Sequence, residues 1–147
     1  MVNLVEKYSK IKKYDADIYV IQECENPIKY KYAENYIWQG SLESKGIAVF
    51  AKTGITIEKL DWEDCDLKQF LPIRVNNDFT LLAVWTCKPY IEELAAYQDI
   101  HCGKFDKDIV VAGDFNANTC FDKKRSVEKG CCSFNNVVKR FNQAGLF

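Results

Sequence analysis

Hydrophobic positions along the chain follow two rhythms, and each rhythm predicts an element. Leu4, Val5, Tyr8 and Ile11 recur at helical spacing. Glu6, Lys7, Lys10, Lys12 and Lys13 lie between and after them as a solvated, mostly basic face. From Asp17 to Glu23 the pattern changes: Ile18, Tyr19, Val20 and Ile21 form an unbroken apolar run, which reads as a buried strand ending in Gln22 and Glu23. Pro27 stops regular structure soon afterwards. Tyr30, Tyr32, Tyr36 and Trp38 then read as one aromatic-rich loop, able to pack on a core or to stack on bases. Two hairpins are predicted next. The first runs from Gly46 to Lys52, turns at Thr53-Gly54 and returns over Ile55 to Leu60. The second joins Leu71–Val75 to Phe79–Trp85 through Asn76-Asn77-Asp78, residue types that tolerate positive φ. A helix is predicted from Pro89 to about His101, with Ile91, Leu94, Ala95 and Gln98 on one face. Asp108 to Gly113 is a further buried strand, running into Asp114-Phe115-Asn116. The last helix is predicted from about Ser133 to Gln143, with a stripe of Phe134, Val137, Val138 and Phe141 and Gly145 as its cap.

Strands, hairpins and helices in this order predict an α/β fold of layered, mixed sheets. The 147 residues fit one domain, since domains usually run to about 100–150 residues. Apolar residues at 48% and charged residues at 28% exclude a disordered chain. No stretch approaches the roughly 20 apolar residues of a membrane span. The opening residues MVNLVEKYSK contain no apolar signal core, and seven cysteines is an odd number, so a reduced, cytoplasmic chain is expected. The cysteines follow no zinc spacing and are expected to be buried or half-buried apolar residues. A net charge of -1 leaves any anionic substrate to be met by a local patch or a metal ion. A single histidine, His101, sits at the end of a predicted helix, where a structural or surface role is expected.

Two buried strands end in polar clusters: Gln22-Glu23, and Gly113-Asp114-Phe115-Asn116. Sites in layered α/β proteins form at such strand ends. A carboxylate on each strand suits a hard cation, since magnesium takes one or two carboxylates and keeps several waters. The same spacing also fits capping or solvated strand ends. Asn118 is a further candidate beside the cluster, with a turn role as its alternative. Lys123, Lys124 and Arg125 read as a phosphate-facing patch or as a solvated loop.

Asp17 to Glu23 resembles the "aDIvvlQE" segment of the endonuclease/exonuclease/phosphatase superfamily, the DNase I-like fold. Lys45-Gly46-Ile47-Ala48-Val49-Phe50 is similar to its "G-hAVhh" strand. Val110 to Asn116 matches its GDFN motif, and Ser133 to Phe147 resembles its following helix and "GL" exit. The resemblance implies a two-layer mixed β-sheet sandwich flanked by helices, acting on phosphodiesters with Mg²⁺ or Mn²⁺. It implies Glu23 as the metal ligand, Asp114 as the group that orients or deprotonates the attacking water, and Asn116 as its support on the phosphate. Asn118, Lys123, Lys124 and Arg125 are the substrate-phosphate candidates.

The family's opening "WN" strand, its middle-strand histidine or tyrosine, and its closing "IDY" and Asp-His elements have no counterpart here. Ala83-Val84-Trp85-Thr86-Cys87-Lys88 stands in the middle-strand position. The expectation is therefore a family domain over 1–147, incomplete at both ends, with unpaired strand edges that invite self-association or a partner chain. It is either a piece of a longer enzyme or a natural short protein. The expected function is metal-dependent phosphodiester hydrolysis, weak or inactive in the isolated chain, on DNA, RNA or a small phosphoester. The alternative is a catalytically dead scaffold that binds, inhibits or assembles.

Overall fold

The computed structural model describes residues 4–30, 35–125 and 132–146. Within them the order is α1 (Leu4–Lys12), β1 (Ile18–Cys24), β2 (Asn35–Leu42), β3 (Lys45–Ala51), β4 (Ile57–Lys59), β5 (Phe70–Val75), β6 (Phe79–Trp85), α2 (Ile91–Ile100), β7 (Ile109–Asp114), α3 (Thr119–Arg125) and α4 (Phe134–Gln143). Short 3-10 turns occupy Pro27–Lys29 and Cys102–Lys104. The strands form two sheets, ordered β1-β3-β2 and β4-β5-β6-β7. All pairs are antiparallel except β6 with β7, which are parallel and joined through α2. The fold is a mixed α/β sandwich.

The apolar runs of β3, β5 and β6 have a common cause: these strands are covered on both faces. The two strands expected to be buried before Glu23 and Asp114 are corrected: β1 and β7 are edge strands, β1 mostly half-buried and β7 with Val110 exposed, because each has a sheet neighbour on one side only. In β3, Ile47 and Val49 point between the sheets, against Leu71, Ile73, Leu81, Ala83 and Trp85. Ala48 and Phe50 point the other way, onto Leu4 and Tyr8 of α1. In β6, Leu82 and Val84 turn to the outer layer of α2 and α4, meeting Leu94, Tyr97, Val137 and Phe141. The layers are thus α1, the first sheet, the second sheet, then α2 with α4. Period-2 alternation with both phases apolar erases the polar half of the pattern.

Most predicted elements are present. The second hairpin is β5–β6, with Asn76 and Asn77 at φ +49° and +60°. Ser133 caps α4, its hydroxyl accepting from the Asn136 amide at 3.3 Å, and Gly145 follows at φ +84°. Helix α2 starts at Ile91, so Pro89 precedes it rather than occupying its first turn. Val5 is exposed, leaving Leu4 and Tyr8 as the buried face of α1.

Two further expectations are corrected. The strand predicted over Ile55–Leu60 does not fold back on β3. Its ordered part, β4, pairs with β5 in the other sheet. The Thr53-Gly54 turn explains the crossing. Gly54 has φ +94° while Thr53 is not in the left-handed region, and Ile55 N–H donates to the Lys52 carbonyl at 3.1 Å. Two-residue hairpins need positive φ at the first central position, so this turn sends the chain across instead of back. The true hairpin partner of β3 is β2, inside the segment expected to be an aromatic loop. Tyr36 and Trp38 face α1's layer and Ile37 faces the inter-sheet core. Tyr32 lies outside the described residues. Gly46 makes the β2–β3 packing possible: a Cβ there would lie 2.3 Å from the Gln39 carbonyl oxygen and 2.7 Å from the Trp38 ring.

Candidate active site at the strand ends

Strands β6 and β7 run parallel, with Trp85 in register with Asp114, so their C-terminal ends share one rim. The chain leaves β7 through a tight turn. Gly113 has φ +147°, and a Cβ there would sit 1.9 Å from the Val84 carbonyl oxygen. Asn116 follows at φ +44°. This turn folds Asn116 back onto Asp114. The Asn116 backbone N–H donates to Asp114 Oδ1 at 3.0 Å, and its Nδ2 donates to Asp114 Oδ2 at 3.2 Å. Both carboxylate oxygens are held, yet each keeps acceptor capacity and the side chain stays exposed.

Thr86 anchors the arrangement. It is completely buried, and it makes three bonds to the turn. Its N–H donates to the Asp114 carbonyl at 3.0 Å, its hydroxyl donates to the Phe115 carbonyl, and its own carbonyl accepts from Asn116 Nδ2 at 2.9 Å. Sequence reasoning missed this role. The available signal was a polar residue closing the apolar run of β6.

Glu23 lies near the end of β1, an edge strand of the first sheet that packs against β6 and β7. Ile21 pairs with Ala48 and Cys24 with Gly46, so Gln22 and Glu23 together oppose Ile47 alone. This is a β-bulge, a device that re-aims a side chain at a strand end. Glu23 takes φ +51° and is exposed, although it lies within β1. Cys87, one residue beyond Thr86, links the two halves. Burial pushes its thiol pKa up, the Glu93 and Glu23 carboxylates push it further, and the Lys45 ammonium pulls it down. Lys45 is half-buried at the start of β3.

The Glu23 and Asp114 side chains are exposed carboxylates, the donor type that a hard cation takes. Among the described residues, no group of three His, Cys, Asp or Glu side chains is placed to hold a metal ion. Glu23 and Asp114 are the residues here whose oxygens could hold a hard cation together with water. They do not fit a structural zinc.

The remaining candidates separate. Asn118 caps α3, a helix not predicted from the sequence: its Oδ1 accepts from the Cys120 N–H at 2.9 Å. Lys123, Lys124 and Arg125 fall on the last turn of α3, and their side chains lie outside the described residues. His101 is buried at 3% exposure, beside Tyr97 and Trp62, with Nε2 donating to the Glu63 carbonyl at 2.8 Å. Its role is structural. Of the cysteines, Cys24 is buried, with burial raising its pKa to about 11, and Cys87 and Cys132 are half-buried. Cys65, Cys102 and Cys120 are exposed, against the expectation of burial. Cys131 lies outside the described residues. Among the described residues, no helix is long and apolar enough to cross a membrane.

No protein-family model and no curated protein matches the chain.

Proposed function

We propose that the chain is a metal-dependent phosphodiester hydrolase of the endonuclease/exonuclease/phosphatase type, with a DNase I-like sandwich. One observation carries this reading: Asn116 clamps both oxygens of Asp114 while Thr86, just past the end of β6, fixes Asn116. Solvated strand-end carboxylates do not need a side chain that holds both oxygens and is itself tied to a buried threonine. A preorganised carboxylate is what alignment of an attacking water requires.

Asp114 holds and orients the water and accepts its proton. Asn116 keeps Asp114 in one rotamer, so the carboxylate needs no reorganisation as charge develops. Glu23 is the residue that would hold Mg²⁺ or Mn²⁺, and Lys45 adds positive charge at the same rim. The ion, when bound, supplies charge neutralisation at the phosphoryl oxygens. The nucleophile and leaving-group chemistry is common to DNA, RNA and small phosphoesters.

A second reading, a silent scaffold that binds or assembles, is favoured by His101. The chain's one imidazole is locked in the core, so no histidine within these 147 residues serves as the acid. Removing a positioned acid or base costs about 10²–10⁴-fold, so turnover by this chain is expected to be slow.

The test is turnover of an abasic DNA duplex and of a generic phosphodiester with Mn²⁺, in the protein and in Asp114→Asn. Slow metal-dependent turnover that Asp114→Asn abolishes supports the hydrolase. Absence of turnover with either substrate overturns it in favour of the scaffold.

A further inference from the structure

The bulge in β1 leaves a specific problem. Gln22 and Glu23 stand opposite one residue, so the ladder with β3 is locally disrupted there. Glu23 also holds φ +51°, a conformation disfavoured for a residue with a Cβ. Something outside the sheet must compensate. Helix α1 provides it: the Lys7 ammonium donates to the Gln22 carbonyl at 2.9 Å and to the Glu23 carbonyl at 2.9 Å. The sequence pattern assigns Lys7 to the solvated face of α1. In the structure it is half-buried, on the flank between that face and the sheet. Leu4 and Tyr8 on either side of it are buried against β1 and β3, so the docking of α1 sets the position of the ammonium.

We infer that Lys7 is the positioning residue for Glu23: its ammonium clamps the two bulge carbonyls and thereby aims the Glu23 carboxylate at the rim shared with Asp114 and Asn116. This inference rests on the proposed hydrolase reading, in which Glu23 carries the cation. Lys7 does not touch the substrate or the cation. It acts on the backbone, where a charge-assisted bond to each carbonyl holds what strand pairing cannot. Lys10, one turn further along α1, is the internal contrast. It pairs with Glu6 at 2.6 Å on the exposed face.

The test compares Mn²⁺ affinity, read by electron paramagnetic resonance, with thermal unfolding and with turnover at saturating Mn²⁺. The variants are Lys7→Met, Lys7→Arg, Lys10→Met and Glu23→Gln. Groups that orient a ligand typically change metal affinity by roughly 10–100-fold when removed. Lys7→Met is expected to weaken Mn²⁺ binding within that range while keeping turnover at saturating metal. Lys7→Arg, which retains donors, is expected to recover most of the affinity, and Lys10→Met to change nothing. Where Lys7→Met fails to fold, Lys7→Gln replaces it, with an intermediate loss expected. If Glu23→Gln weakens binding and the Lys7 variants match Lys10→Met, the positioning role is overturned and the hydrolase reading stands. If Glu23→Gln leaves the affinity unchanged, Glu23 is not the ligand and both fall.

Discussion

Asn116 donates through Nδ2 to the carbonyl oxygen of Thr86 at 2.9 Å, and through the same nitrogen to Asp114 at 3.2 Å. One carboxamide thus ties the end of β6 to the carboxylate at the end of β7. The two strands lie side by side in register, so the contact needs no long side chain.

Asn116→Ala removes both bonds and leaves Asp114 held by one backbone N–H alone. Turnover is expected to fall roughly 10–100-fold, the range seen when an orienting partner is lost. Stability falls by about 1 kcal/mol for the Thr86 bond. Kinetics with Mn²⁺ and chemical denaturation check the two parts separately.

Thr86→Val keeps the shape but removes the hydroxyl that donates to the Phe115 carbonyl. Thr86 is fully buried, so a carbonyl left without a partner costs about 1–3 kcal/mol. A lowered denaturation midpoint with unchanged m-value is the expected result. No loss of stability would show that the hydroxyl bond is not what holds the turn.

Gly113→Ala places a Cβ 1.9 Å from the Val84 carbonyl oxygen, in a region of φ that a side chain strains. Backbone must move on β6 or β7. A loss above about 3 kcal/mol is expected, in the range of severe strain mutations. Solubility and thermal unfolding are the measurements.

His101 gives a pH dependence. Burial holds its imidazole below the ordinary value of 6.5. The unfolded chain therefore binds a proton at higher pH than the folded one. The stabilising contribution is complete above pH 6.5 and is lost as pH falls from 6.5 through the lower folded pKa. Thermal midpoints measured across this window should fall with acidity, and His101→Gln should flatten that part of the profile.

The local elements were legible without the fold. Helical spacing at Leu4 and Tyr8, the apolar runs before Glu23 and Asp114, and the turn residues Asn76 and Asn77 each depend on nearest neighbours, and each appears where expected. Pairing was not legible. The sequence pattern joined β3 to the strand after Thr53-Gly54, because it cannot tell the φ of Thr53 from that of Gly54. An apolar run with both faces buried matches any other such run equally well, so only packing chose β2 as the neighbour of β3 and sent β4 to the other sheet. The same holds for the site. Glu23, Asp114 and Asn116 could be named from the chain itself, but Thr86 and Lys7 could not. Their roles come from contacts across 30 and 16 positions of sequence, fixed by parallel strand register in one case and by helix docking in the other. The candidate residues lie in short segments; how they are placed is set by the layers that bring those segments together.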